Sequence, residues 1–389
     1  MIDNMKNRTI YFLLGIALLI QGCNTKKHVK TDASAEAFGI LFNEVCNESD
    51  AENICISPLS AQMALSMVAA GATGETKEEI YGALQLSGDV NEKSKAIIDN
   101  IGNDECEVNI ANSIWINEKL DAKESFIKDG KEYFNAHVTR APFDKATLKI
   151  INDWCKTETK GKISSILDDI KESDRMYLIN ALYFKGAWRQ QFSKILTVKK
   201  PFATEEGKVV EVDMMHQTIK TIYYEDSIIQ MASMPFKHKY RMLLILPAEG
   251  VSISDAVMHL AANHQECLDS MSRYSVELAL PKFRSEFKTS LKKTLKNMGM
   301  KRAFSNKAQF DGMSDDPLCI DNVVQKTYIK IDEEGAEAAA VTGISMMLTG
   351  MPRPLEKRVL NLDRPFIYMI TDYTKDNILF MGKVGNPNE

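Results

Sequence analysis

Side chains suited to catalysis occur in this chain, but not in arrangements that would perform it. The histidines stand apart at His28, His137, His216, His238, His259 and His264. There is no G-x-S-x-G elbow, no H-E-x-x-H, no P-loop and no dinucleotide fingerprint. The adjacent carboxylates Asp168-Asp169 and Asp315-Asp316 read as solvated turns. Cys46, Cys55, Cys106, Cys155, Cys267 and Cys319 form no C-x-x-C pair and lie at no metal-ligand spacing from a histidine. They read as buried free thiols acting as small apolar residues, with an unassignable disulfide as the alternative outside the cytoplasm. No nucleophile–base pair is visible, so the expectation is no enzyme, no metal and no cofactor.

The unusual stretch runs from Lys330 to Pro365. Inside it lies Glu333-Glu334-Gly335-Ala336-Glu337-Ala338-Ala339-Ala340-Val341-Thr342. It follows a strand-like run, Lys326 to Ile331. Its alanines favour helix, while Val341, Thr342 and Ile344 favour strand. One reading is a short surface helix and a loop. The other is a segment that changes state: side chains this small can enter a sheet without displacing a close-packed core. Gly343 and Gly350 break the apolar run beyond it, and Pro352 and Pro354 end regular structure.

The stretch Glu333 to Ala340 resembles the hinge of the serpin reactive-centre loop. Arg364-Pro365-Phe366, Phe380-Met381-Gly382-Lys383-Val384 and Asn386-Pro387 are similar to the family's C-terminal signature. Upstream, Asn53 to Ile80 is similar to its N-terminal helical region. Asn180 to Trp188 resembles its central strand, and Lys200-Pro201-Phe202 through Met215 continues the pattern. The resemblance runs from about Ala35 to Pro387. It implies an α+β serpin fold, with helices packed on three β-sheets and an exposed, insertable reactive-centre loop at about 333–354. It also implies roles for residues. Gly335, Ala336, Ala338, Ala339, Ala340, Val341 and Thr342 would form the hinge with Glu333. Trp188, Lys282 and Glu333 would form the "breach", with Glu333 paired to Lys282. Ser57, Ser60, Asn180 and Gln325 would form the "shutter". Gln325 stands where many serpins have histidine, and an amide can both donate and accept there without a pH-dependent charge.

These residues need a scaffold, and 389 residues at 44% hydrophobic can bury one. Phe38, Leu41, Phe42 and Val45 recur at helical spacing. Ser57-Pro58 opens a second helix that is apolar nearly all round from Ala61 to Ala70. Further helices are expected at Ser125–Ala136, Ile150–Thr159 and Leu291–Met298. Strands are expected at Val108–Ile116, Met176–Phe184, Ile229–Pro235, Met242–Leu246 and Ser275–Leu280. Helices first and strands later is an α+β order, not a βα repeat.

Before the scaffold comes an export signal. Lys6 and Arg8 precede an apolar run, Ile10–Ile20, too short to span a bilayer. Ile20-Gln21-Gly22-Cys23 resembles a bacterial lipobox, with Gln21 where a small residue is usual. The expected division is a signal at 1–22, a tether at 23–34 and a single domain at 35–389. Cys23 would carry a lipid that holds the protein on the cell envelope without spanning the membrane; ordinary secretion with a structural Cys23 is the alternative. The net charge of −5 gives no argument for nucleic acid. Lys93 and Lys95 stand among Asp89, Glu92 and Asp99, so no heparin activation is expected.

The mechanism implied by the resemblance is that of a monomeric suicide substrate. A protease nucleophile attacks the loop and forms an acyl-enzyme. The cut loop then inserts into the central sheet before water releases the enzyme. Counting from Glu333 at the family's usual spacing gives Thr349–Gly350 as the reactive bond, with Met347, Leu348 and Met351 as alternatives. That neighbourhood is apolar and uncharged. The expected targets are therefore elastase-, chymotrypsin-, subtilisin- or papain-like proteases. The alternative is a non-inhibitory serpin acting as a carrier, against which the alanine-rich hinge argues.

Overall fold

The computed structural model describes residues 33–101, 106–337, 354–373 and 377–389. These belong to one compact unit. The expected signal, the expected tether up to residue 32 and Cys23 lie outside them.

The first half is mainly helical. α1 (Ala33–Glu48) buries Phe38, Leu41, Phe42 and Val45 on one stripe. The buried strand β1 (Asn53–Ile56) leads into α2 (Pro58–Gly71). Ser57 caps α2 by accepting the Ser60 amide at 3.1 Å, and Pro58 fills the first turn. α3 (Gly74–Ala83) and α4 (Val90–Asn100) follow. Then come β2 (Cys106–Asn117), α5 (Glu124–Phe134), β3 (His137–Ala141) and α6 (Lys145–Glu158). α6 starts earlier than its apolar pattern indicates, because Asp144 caps it through the Thr147 amide at 2.9 Å. β4 (Met176–Ala187) ends this half.

The second half is strand-rich. β5 (Val198–Ala203), β6 (Val209–Glu225), β7 (Ile229–Pro235) and β8 (Tyr240–Pro247) precede α7 (Ile253–Ser270). β9 (Ser272–Pro281), β10 (Phe283–Ser290), α8 (Lys292–Asn297) and β11 (Val324–Ile331) lead to a two-residue strand, β12 (Gly335–Ala336). β13 (Lys357–Asn361), β14 (Phe366–Asp372) and β15 (Asn377–Val384) complete the chain.

Among the described residues two of the three expected sheets are continuous, so the strands form two hydrogen-bonded networks. The reason is β6. Its 17 residues pair in turn with β5, β9 and β7, and so join what would otherwise be two sheets into one of nine strands. The other sheet has the order β10-β11-β12-β4-β2-β3. Its two faces are read from β4. Leu182 and Phe184 join the main core, which includes α2, while Ile179 and Ala181 join a second cluster with Trp115, Ile151 and Cys155 of β2 and α6. This is the period-two alternation of a strand buried on both faces.

Candidate functional site

β12 is the strand on which the site is built. Gly335 and Ala336 pair antiparallel with Ala187 and Gly186 of β4, and Ala336 also pairs antiparallel with Ile331 of β11. β4 and β11 therefore run parallel to each other. Among the described residues no ladder joins them directly. Of the two local readings of this stretch, strand prevails at Gly335–Ala336, because two flanking strands supply partners that an isolated helix would lack.

Glycine is required at 335. Its φ is +146°, and a Cβ there would lie 2.1 Å from the Gly186 carbonyl oxygen and 2.9 Å from Ala187 Cα. Only a residue without a side chain lets the backbones approach so closely. β12 ends after two residues because Glu337 takes φ +52°, in the left-handed region. The Glu337 carboxylate is buried. Lys162 Nζ lies 3.1 Å from its Oε2 and the Tyr183 hydroxyl donates to it at 3.4 Å, while Oε1 has no partner among the described residues.

The turn from β11 into β12 is held by many partners. Asp332 Oδ1 accepts the Glu334 amide at 3.0 Å, and the Asp332 amide donates to the Gly335 carbonyl at 3.1 Å. Trp188 is fully buried and stacks on Phe236 at 4.2 Å. Its Nε1 donates to the Asp332 carbonyl at 2.9 Å, and its amide donates to the Glu334 carbonyl at 3.0 Å. Glu333 is buried, accepts the Thr197 hydroxyl at 2.9 Å, and lies 3.3 Å from Lys282 Nζ. Glu334 pairs with Lys194 at 2.8 Å. The structure thus brings Trp188, Lys282 and Glu333 together. It adds Asp332, Lys194 and Thr197, which no local pattern marked.

Burial pushes the Glu333 carboxyl up, but its own amide, the Thr197 hydroxyl and the Lys282 ammonium outweigh this and hold it below its ordinary 4.5. The sign follows. The charged form stabilises the fold fully above that ordinary value, and the contribution is lost as pH falls through the lowered one. Glu333→Gln is expected to cost about 1–2 kcal/mol at neutral pH, with the deficit shrinking in acid. Urea unfolding of both proteins at neutral pH and below the ordinary carboxyl value measures this. A deficit that is equal at both pH values would show that the charge contributes nothing.

The four residues grouped as the shutter fall into two clusters. Gln325 bridges the Ser57 backbone both ways: its Oε1 accepts the Ser57 amide at 2.9 Å, and its Nε2 donates to the Ser57 carbonyl at 2.8 Å. Ser57 in turn caps Ser60. Asn180 belongs elsewhere. Its Nδ2 donates to Asn112 Oδ1 at 2.7 Å, and its Oδ1 is buried with no partner among the described residues. Asn112 donates to the Phe134 carbonyl at 2.6 Å. The remaining hinge positions, Ala338, Ala339, Ala340, Val341 and Thr342, lie outside the described residues. So do Thr349, Gly350 and the alternatives Met347, Leu348 and Met351.

Of the six described cysteines, Cys46, Cys55, Cys155, Cys267 and Cys319 are free thiols, with Cys319 exposed, Cys46 partly buried and the other three buried, while Cys106 is buried and its thiol donates to the Lys237 carbonyl at 3.0 Å. Burial pushes Cys46 and Cys155 up to about 12 and Cys55 to about 11, far from thiolate reactivity.

Fold and site define an α+β protein whose central sheet already takes in, as a strand, the root of the segment that follows. The family model described as Serpin (serine protease inhibitor) matches residues 33–387. A serpin-like protein of Methanosarcina mazei is 33% identical over 353 residues, 87% of this chain and 82% of its own length. Human Serpin B11 is 30% identical over 381 residues, covering 89% and 96%. Among solved structures, the native state of the thermophilic serpin tengpin matches with a TM-score of 0.82 at 32% identity, over 91% of this chain and 93% of its own. Human thyroxine-binding globulin complexed with thyroxine gives 0.82 at 28% identity, over 92% and 98%. The chain belongs to the serpin family. That family consists in general of protease inhibitors rather than catalysts, with both inhibitory and non-inhibitory members.

Proposed function

We propose that this serpin is inhibitory and traps serine proteases, and cysteine proteases of papain type, as covalent acyl complexes. β12 is the observation that carries this reading: the first hinge residues are already paired on both sides between β4 and β11. An extended segment continuing that register would set Thr342 between Asn180 and Gln325. It would then set Ile344 between Leu178 and Val323, and Met346 beside Met176. Ala336 is fully buried, so the face it shares with residues 338, 340, 342, 344 and 346 would point inward. Small residues would pass the upper sheet. The larger Ile344 and Met346 would arrive where a cavity of about 410 Å³ is lined by Leu65, Val68, Met176, Leu178, Leu318 and Val323. Thr342 would reach Asn180, whose Oδ1 wants a donor.

In this reading the protein performs no catalysis itself. The protease's nucleophile cleaves at or near Thr349–Gly350, strand entry carries the acyl-enzyme along the sheet, and distortion of the enzyme outpaces its deacylation. Apolar, uncharged residues around that bond favour elastase-, chymotrypsin-, subtilisin- and papain-like targets. We further propose a monomer exported and lipid-anchored to the bacterial envelope through Cys23.

The test is to mix the mature protein with pancreatic elastase, chymotrypsin, trypsin, subtilisin and papain, then run denaturing gels and weigh the released C-terminal peptide. A denaturant-stable band at the summed mass is the expected result, and the peptide's first residue identifies the bond. Cleaved protein without any such band, for every enzyme, would overturn the inhibitory reading for that panel.

A further inference from the structure

A second concave site lies on the nine-stranded sheet, away from the β4–β11 seam. It is a cleft of about 520 Å³, within the size range of small-molecule sites. One wall is the short helical turn Lys194–Leu196 and the start of β5. The floor is built from β6, β9 and β13. Register sets His216 beside Ala279 and Asn361 in one row, and Thr218 beside Glu277 and Val359 in the next.

Its chemistry is uneven. Leu196 and Val359 line it and are 52% and 58% exposed, so apolar surface stands uncovered on two sides. Both acids of the lining have partners. Glu277 lies 3.3 Å from Lys357 Nζ, and Asp363 accepts from Asn361 at 2.7 Å and Arg364 at 3.4 Å. Lys200, also in the lining, pairs through its backbone with β6, but its ammonium makes no ion pair or hydrogen bond among the described residues. On the floor His216 Nε2 and Gln217 Oε1 are buried without a hydrogen-bond partner among the described residues, a condition that folded proteins rarely leave unmet. The Lys200 ammonium and His216 Nε2, as its N–H tautomer, are unmatched donors beside uncovered apolar walls, and they call for a ligand with one anionic end and one apolar body.

We propose that this cleft binds a small amphipathic carboxylate, its carboxylate at Lys200 and His216 and its apolar body against Leu196, Pro201 and Val359. Burial, and after it the Lys200 charge, lowers the His216 pKa. The imidazole is therefore neutral at neutral pH, and its Nε2–H tautomer donates without adding charge. The proposal does not depend on the inhibitory reading.

Fluorescence titration with dansyl-undecanoate tests it, with the primary amide of the same probe as the uncharged arm. The expected result is saturable one-to-one binding of the acid. Both the amide and the Lys200→Gln variant should bind roughly two- to fivefold more weakly, the worth of one exposed charge contact. Thr218 is exposed at the cleft floor, so Thr218→Trp should fold normally and fill the site, with binding at least about tenfold weaker. Melting curves of both variants establish that they are folded. Absence of saturable binding by the wild-type protein would overturn the proposal. So would binding that both substitutions leave unchanged, since the probe would then sit on another surface.

Discussion

Replacing Ala336 with arginine is expected to abolish the proposed trapping and leave the protein a plain substrate of the same protease. Ala336 is fully buried, with Gly186 of β4 on one side and Ile331 of β11 on the other. A guanidinium at that position would have no carboxylate built to receive it beneath the sheet and would force β12 out of the seam, so strand entry would have to start from outside and bury the charge on the way in. An unpaired buried charge costs several kcal/mol. At about 1.4 kcal/mol per tenfold, strand entry would slow by on the order of a hundredfold or more. Deacylation by water belongs to the protease and would not slow with it, so the acyl-enzyme would be released before it could be distorted. Ala336→Ser adds one small hydroxyl and should keep most of the trapping. The measurement is the yield of denaturant-stable complex and the moles of serpin consumed per mole of enzyme inhibited. Wild-type yield from Ala336→Arg would remove strand entry from the mechanism.

The stretch Glu333–Thr342 stands out because its signal is compositional: a glycine and a run of alanines need no knowledge of the fold to be noticed. Most helices and strands were legible from spacing, as at Phe38, Leu41, Phe42 and Val45. What could not be read depends on contacts distant along the chain. Whether Gly335–Ala336 is helix or strand is decided by β4, which lies far upstream. Lys194 and Thr197 sit in a stretch with no pattern of its own, yet they hold Glu334 and Glu333. Gln325 and Asn180 looked like members of one cluster, but each found a nearer partner, Ser57 and Asn112. α7 passed unnoticed: its buried residues Ala256, Val257, Leu260, Ala261, His264 and Cys267 do follow helical spacing, but small and polar types among them weaken the stripe. That two of the sheets are continuous was hidden for a similar reason, since β6 reads as a strand without revealing that it serves three partners.

Cleavage of the wild-type protein between residues 347 and 353 is expected to raise its melting temperature by roughly 10–20 °C. The gain comes from the seam. On its inner side β4 pairs along its length with β2, and β11 pairs along its length with β10. Toward each other, among the described residues, they are bridged only by β12. A cut frees the following residues to continue β12 downward. Each would form about two ladder bonds, at a net of ~1 kcal/mol apiece, and Ile344 and Met346 would add about 1.5–3 kcal/mol each by burial. Ordering roughly a dozen residues opposes this by about 1–2 kcal/mol each, leaving a surplus on the order of ten. At this chain length roughly 1–2 °C follows from each kcal/mol. Scanning calorimetry before and after cleavage with a protease that forms no complex measures the shift. The cleaved Ala336→Arg protein should show much less of it, which ties the two results to one cause. If the wild-type shift is absent, cleavage releases no driving force, and any complex that forms must be held by something other than strand entry. If the shift is present but no protease is trapped, the sheet accepts the strand too slowly, and the search moves to proteases that deacylate more slowly.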